Sequence, residues 1–280
     1  MRSLLLLMIL APLMCTGVYA YTPPNNQYRG LVENIIQLSK QEENIHAVHS
    51  LIFSNLERYQ PSDELKTYTK KVEKSAHAIF SISNLYESLI NNLRSQLSQN
   101  DLEEIERMLQ IPLVKQMILL ETNEASLNRR DPLTYYKNYT KLNEPDFYKE
   151  QLIRQWVNNN PHAHNIIRFQ LSVEYMIFKA INPMLLVNPE YMKMYMAERV
   201  QQKKELLYFK YLYIYRNINS SDTQIYLDLM ATEIGRKFYA SLISAHFTTI
   251  QQLGSKFITQ VVQLDKATPQ LTLSLDNNQR

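Results

Sequence analysis

Apolar residues three and four positions apart run along most of the chain. Leu31, Ile35 and Leu38 form one stripe, and Ile45, Val48, Ile52 and Leu56 form the next. That spacing gathers each set on one face of an α-helix. A helix is expected from near Arg29, a second from about Glu42 to Arg58, and a stop at Pro61, which has no amide hydrogen to offer. Val72, Ile79, Ile82, Leu85, Leu89 and Leu93 then extend a stripe that predicts one long helix from about Ser62 to Leu97. Further helix is expected from Asp101 to Asn128 with a break at Pro112, from Phe147 to Trp156, from His164 to Ile181, from Tyr191 to Asn217 and from Asp222 to Leu264. The stretch from Arg129 to Pro145 holds two prolines and no sustained period, so it reads as a linker.

The pattern repeats. Leu97-Ser-Gln-Asn-Asp-Leu-Glu-Glu-Ile-Glu-Arg-Met-Leu resembles Ile218-Asn-Ser-Ser-Asp-Thr-Gln-Ile-Tyr-Leu-Asp-Leu-Met, 121 residues later. Asn100-x-x-Glu103 and Ser221-x-x-Gln224 offer helix caps ahead of the two amphipathic runs. Asp101 and Asp222 each fall in a first turn, where negative charge suits the positive helix end. Asn44-Ile45 aligns with Asn165-Ile166 at the same offset, whereas Ile35-Ile36 aligns with Leu152-Ile153 at 117. Asn158 to Pro161 is expected to absorb that difference of four residues. The expectation is an all-α fold of tandem helical units, a duplicated helical bundle. Its parts are a signal peptide at 1–20, a first unit at 21–140, a second at 141–265 and a flexible tail at 266–280.

Composition narrows the setting. Arg2 precedes an apolar run from Leu4 to Leu13, and Val18-Tyr19-Ala20 supplies a cleavage site, so export with loss of residues 1–20 is expected. That run is too short for a membrane span of about 20 residues, and no transmembrane anchor is expected after cleavage. Cys15 is the only cysteine, so the mature chain has neither disulfides nor thiolate chemistry. An exported chain without disulfides points to a bacterial periplasmic or secreted setting. The formal net charge of +3 becomes +2 once Arg2 is removed, which argues against a nucleic-acid partner. Only Gly30, Gly235 and Gly254 follow the signal. They write no phosphate-binding loop and no nucleophile elbow.

At the end of each repeated segment the residues carry a family resemblance. Thr232-Glu-Ile-Gly235-Arg-Lys237 keeps a threonine, a glycine and basic residues, and Ile111-Pro112-Leu-Val114-Lys115 keeps the proline. Together with the order of helices, this resembles the exported bacterial domain of unknown function two-zero-five-nine, in two tandem copies over about 28 to 130 and 147 to 264. The resemblance implies an exported helical protein. It implies no activity, no cofactor and no catalytic residue.

Candidate chemistry is sparse. Glu43-Asn-Ile-His46 places a carboxylate and an imidazole on one helix face, and His49 adds a third possible ligand. A di-iron bundle needs a second Glu-x-x-His pair, and the chain has none. A single zinc on these residues remains the rival reading. Glu103, Glu104 and Glu106 read as a solvated first turn, and His162 and His164 as residues at a helix start. The segment Leu206 to Tyr215 is apolar nearly all round, with Tyr208, Tyr211 and Tyr215 on one face. A helix of that kind is expected to be buried in the core; the alternative makes these three the candidates for a groove that takes a protein or a small apolar ligand. The expected function is an exported, non-enzymatic protein-interaction or ligand-binding module without metal or cofactor. The alternatives are a helical envelope hydrolase or metal-dependent enzyme, and a periplasmic lipid carrier.

Overall fold

The computed structural model describes residues 26–58, 66–125, 134, 146–159, 161–181 and 189–267. The export signal, the tail beyond 267 and the expected linker, Thr134 apart, lie outside these residues. The described chain is all-α. Its eleven helices are α1 (Asn26–Leu38), α2 (Gln41–Arg58), α3 (Lys66–Ile79), α4 (Ile82–Arg94), α5 (Gln99–Leu109), α6 (Pro112–Ala125), α7 (Phe147–Asn159), α8 (Pro161–Ile181), α9 (Pro189–Ile214), α10 (Ser220–Met230) and α11 (Glu233–Ala267).

The expected caps fall two residues too late. Ser98 caps α5: its Oγ accepts from the Asp101 amide, and the Asp101 carboxylate accepts from the Ser98 amide. Asn219 caps α10 and accepts from the Asp222 amide at 2.7 Å. In α5 aspartate thus takes the third-position role expected of Glu103, while in α10 the Asp222 carboxylate accepts from the Asn219 side chain. The shorter aspartate side chain still reaches the cap.

The long helix expected from Ser62 to Leu97 is broken in two. Ser81 leaves helical geometry at φ −58°, ψ 149°, and its side chain accepts from the Asn84 amide. The Asn84 side chain turns back to donate to the carbonyls of Ala78 and Ile79, closing the end of α3. At 121 residues on, Gln202 stands where Ser81 does, and α9 runs through without interruption. A capping serine competes for backbone groups that glutamine leaves to the helix.

One register relates the halves. α1 and α7 both have 13 residues and start 121 apart, and α6 and α11, of 14 and 35 residues, also start 121 apart. Val32 and Ile36 are buried in α1, and Ile153 and Val157 are buried at the matching places in α7. The offset of 117 and its four-residue insertion are therefore corrected: Ile35-Ile36 matches Trp156-Val157. Ile52 and Val173, Ile90 and Tyr211, Leu102 and Thr223, and Met117 and Phe238 are likewise buried in pairs. Even a side-chain cap recurs. The Tyr28 hydroxyl donates to the carbonyls of Arg94 and Leu97, and the Lys149 ammonium donates to those of Tyr215 and Arg216.

The final helix of each half packs across onto the other. α6 packs on α5 and then on α9 and α10 of the second half. α11 packs on α8 and α10, and also on α3, α4 and α5 of the first half. Asn92 of α4 donates to Thr249 and Gln252 of α11, and Lys237 of α11 meets Asp101 of α5 at 2.6 Å. One continuous apolar core from Val32 to Val261 results.

Two glycines set how closely α11 approaches its neighbours. A β-carbon on Gly235 would lie 2.5 Å from the Leu229 carbonyl oxygen, and one on Gly254 would lie 2.3 Å from the Met176 sulfur. Around Gly30, in contrast, nothing lies within 4 Å. Gly235→Ala is expected to lower stability by roughly 2 kcal/mol or more, because the obstructing atom is backbone. Gly30→Ala is expected to raise it by about 0.5–1 kcal/mol, from helix propensity alone. Urea unfolding of the two variants against the parent chain checks both signs.

Candidate functional site

The tyrosine face predicted on α9 exists, but it does not border open solvent. Tyr208, Tyr211 and Tyr215 are buried at 5, 8 and 0 % exposure. Their burial agrees with the core-packing reading of this helix, and the alternative of an open groove beside them is corrected. The reason lies in α6, which the sequence leaves unconnected to this face. Glu121 of α6 directs its carboxyl onto the phenols, and the same Oε1 accepts from the hydroxyls of Tyr215 and Tyr226, the latter at 2.9 Å. Tyr226 and Tyr239 share a hydrogen bond of 3.1 Å. Tyr211 lies 5.7 Å from Tyr215 between ring centroids, and Trp156 of α7 meets Tyr211 edge-on at 4.6 Å. Two hydroxyls, from the end of α9 and from α10, thus meet one carboxyl of α6, with the rings of Tyr211, Tyr239 and Trp156 packed in sequence around them.

Burial raises the Glu121 pKa above its ordinary value; the two phenolic hydrogen bonds and the Lys210 ammonium pull it partly back. Burial and the nearby Glu121 charge hold the Tyr211, Tyr215, Tyr226 and Tyr239 phenols well above the usual tyrosine range. All four are therefore neutral hydrogen-bonding groups. A carboxyl held this way carries a proton more readily than a solvated one, yet no serine, cysteine or histidine nucleophile is among its partners. The arrangement recognises a carboxyl group and binds the helix that bears it.

At the outer end of α9, the Arg154 guanidinium lies 4.0 Å from the Tyr208 ring centre and 3.9 Å from the Glu205 carboxylate. Its counterpart in the first half is Glu33, paired with Arg29, which also reaches Glu87. The partners do not correspond, since Asn84 stands where Glu205 does and Glu150 where Arg29 does. Both groups are half exposed, so each pair contributes little to stability.

The histidines go elsewhere. His46 is exposed, as is Glu43, while the His49 ring packs 4.5 Å from Phe53, which stacks on His77 at 4.2 Å. Burial, then the charges of His77 and His46, lowers the His49 pKa. Among the described residues no group of three His, Cys, Asp or Glu is placed to hold a metal ion. The side chains of His162 and His164 lie outside the described residues.

His246 of α11 sits over α2. Its Nε2 lies 3.1 Å from Oε1 of Gln41, whose amide nitrogen donates to the Ser39 carbonyl and so fixes which end faces the imidazole. His246 is then the donor, as the neutral Nε2–H tautomer. Beside it lies a cavity of about 10 Å³ lined by Ile45, Val48, Leu85, His246, Thr249 and Ile250. That volume suits at most one water molecule. No helix among the described residues is long and apolar enough to cross a membrane.

Compared with protein-family models, curated proteins and solved structures, the chain has no significant match.

Burial depresses the His246 pKa to about 4. The unfolded chain, with histidine near 6.5, binds this proton first, so stability falls as pH drops from about 6.5 and the loss is complete below about 4. The loss is expected to reach at most about 3 kcal/mol. His246→Phe should flatten this part of the stability–pH curve in urea titrations between pH 7 and 4.

Proposed function

We propose that the chain is an exported, non-enzymatic module of two tandem helical units that acts by binding a partner protein. One observation carries the reading: the tyrosine face of α9 and α10 already holds an amphipathic helix, α6, through Glu121. A surface that seats one such helix has the chemistry to recognise another. The other groups with chemical potential are used in the same structural manner. Asp101 is held near pKa 2 by hydrogen bonds from Lys237 and Ser98. The Lys149 ammonium caps carbonyls at the end of α9.

The shared register of 121 residues supports reading the halves as diverged copies. The turn that suggested the domain two-zero-five-nine supports it too. Ile111 and Thr232 donate to the carbonyls of Met108 and Leu229, and Lys115 and Arg236 donate to those of Ile111 and Thr232. Val114 occupies the place of Gly235. Export itself rests on the signal-like pattern of residues 1–20.

The two rivals draw less support. A zinc enzyme on Glu43, His46 and His49 needs these groups to converge, and His49 is taken into the stack with Phe53 and His77. A lipid carrier needs an enclosed apolar space far larger than the cavity beside His246.

Two measurements test the proposal. Mass analysis of the protein secreted or released from the periplasm of a bacterial host should show a chain beginning at Tyr21; retention of residues 1–20 counts against export. Metal analysis of that purified protein should give well under one equivalent of zinc or iron. A stoichiometric metal would overturn the non-enzymatic reading in favour of the metal-dependent one.

A further inference from the structure

We propose that α6 is a displaceable occupant of a helix-binding groove on the second half, and that the groove's external ligand is an amphipathic helix with a carboxylate where α6 carries Glu121. The inference rests on the partner-binding reading above and names the surface and the class of partner.

The groove is formed by α9 and α10, with Tyr211, Tyr215 and Tyr226 along it and Tyr239 of α11 behind. Its recognition element is the pair of hydroxyls that converge on one carboxylate oxygen. On the occupant, Val114, Met117 and Ile118 are buried seven, four and three places before the carboxylate, where α6 packs on α5, α9 and α10. Those spacings share one helical face.

The reciprocal crossing shows that a carboxylate is not what packing requires. At the position matching Glu121, the last helix of the second half carries Leu242, which is buried at 5 % exposure. Facing positions differ in step, since Arg94 and Ile105 stand in the first half where Tyr215 and Tyr226 stand in the second. An apolar contact holds a permanent helix well. Burying a carboxyl costs desolvation that hydrogen bonds only partly offset, and its use is to specify one partner rather than to maximise stability.

The two crossing helices also differ in reach. α11 has 35 residues and packs along α3, α4, α5, α8 and α10, whereas α6 has 14 and packs on α5, α9 and α10. Leu119, at the middle of α6, is 48 % exposed, so its apolar surface is only partly covered. α6 is thus the less firmly held of the two, and the one with a chemically specific anchor. Local opening of such elements lies below the free energy of global unfolding.

The experiment uses the full chain and one probe, a fluorescein-labelled peptide of residues 111–125. Glu121→Ala removes the anchor from α6 and leaves the groove intact, so this variant should bind the peptide at least about tenfold more tightly than the parent chain. A peptide with Glu121→Ala, or a chain that adds Tyr215→Phe and Tyr226→Phe to the first substitution, should lose that binding. Circular dichroism shows whether each variant keeps its helices. Hydrogen exchange on the unaltered chain provides a readout without mutation: the α6 amides should exchange at least about tenfold faster than those of α9 and α10. A folded Glu121→Ala chain that ignores the peptide, or α6 exchanging in one step with α10, overturns the proposal. Cross-linking of an exported partner to a surface away from α9 and α10 would sink this groove while leaving the partner-binding reading in place.

Discussion

A carboxyl group brought among buried phenols has few acceptable positions, and Glu121 has one. Once it accepts from Tyr215 and Tyr226, the end of α6 is committed to the second half, far in sequence from its own. The opposite crossing follows a different chemistry, with Asn92 meeting Thr249 and Gln252, and Asp101 meeting Lys237. Neither half closes its apolar faces alone, because each lends its last helix to the other. The buried residues therefore form one core, and the boundary between the units in sequence is not a boundary in the packing.

Much of this was legible in the sequence, in proportion to how local the physics is. Helical stripes such as Ile45, Val48, Ile52 and Leu56 announce themselves because their spacing alone decides which face is buried. The break at Phe80-Ser81 is hidden in the sequence, since the apolar stripe continues across it from Ile79 to Ile82. The expected caps lie two residues late for a similar reason: in α5, aspartate at the third position does the work usually sought from glutamate. Tyr208, Tyr211 and Tyr215 were singled out correctly as an unusual cluster, but what covers them was not readable. Glu121 stands 94 residues from Tyr215 and 105 from Tyr226, and no local rule links them. The one available signal was a lone acidic residue after Ile118-Leu-Leu, in a run otherwise bound for the core.

The ionisable groups pull the stability in opposite directions. His246 and Asp101 have depressed pKa values and weaken the fold as acid is added, in different pH ranges. Glu121 has a raised one, so its protonated form is favoured in the folded state and its burden grows as pH rises above the ordinary carboxylate range. The result is a fold whose acid response differs between its two crossings. The α11 crossing, through Asp101 and His246, is weakened by acid, and the Glu121 crossing is relieved by it.

The length of α11 has a consequence for how the chain comes into being. Its contacts with α2, α4 and α5 span 136 to 205 residues of sequence, through Lys237, Asn92 and His246. A ribosome has made every other described helix before the partner for those early helices exists. Pairings so distant must wait on loop closure, and they slow the search for the native state. Synthesis from the amino terminus therefore yields a long-lived incomplete chain, with the first half's apolar faces waiting for a helix that arrives last.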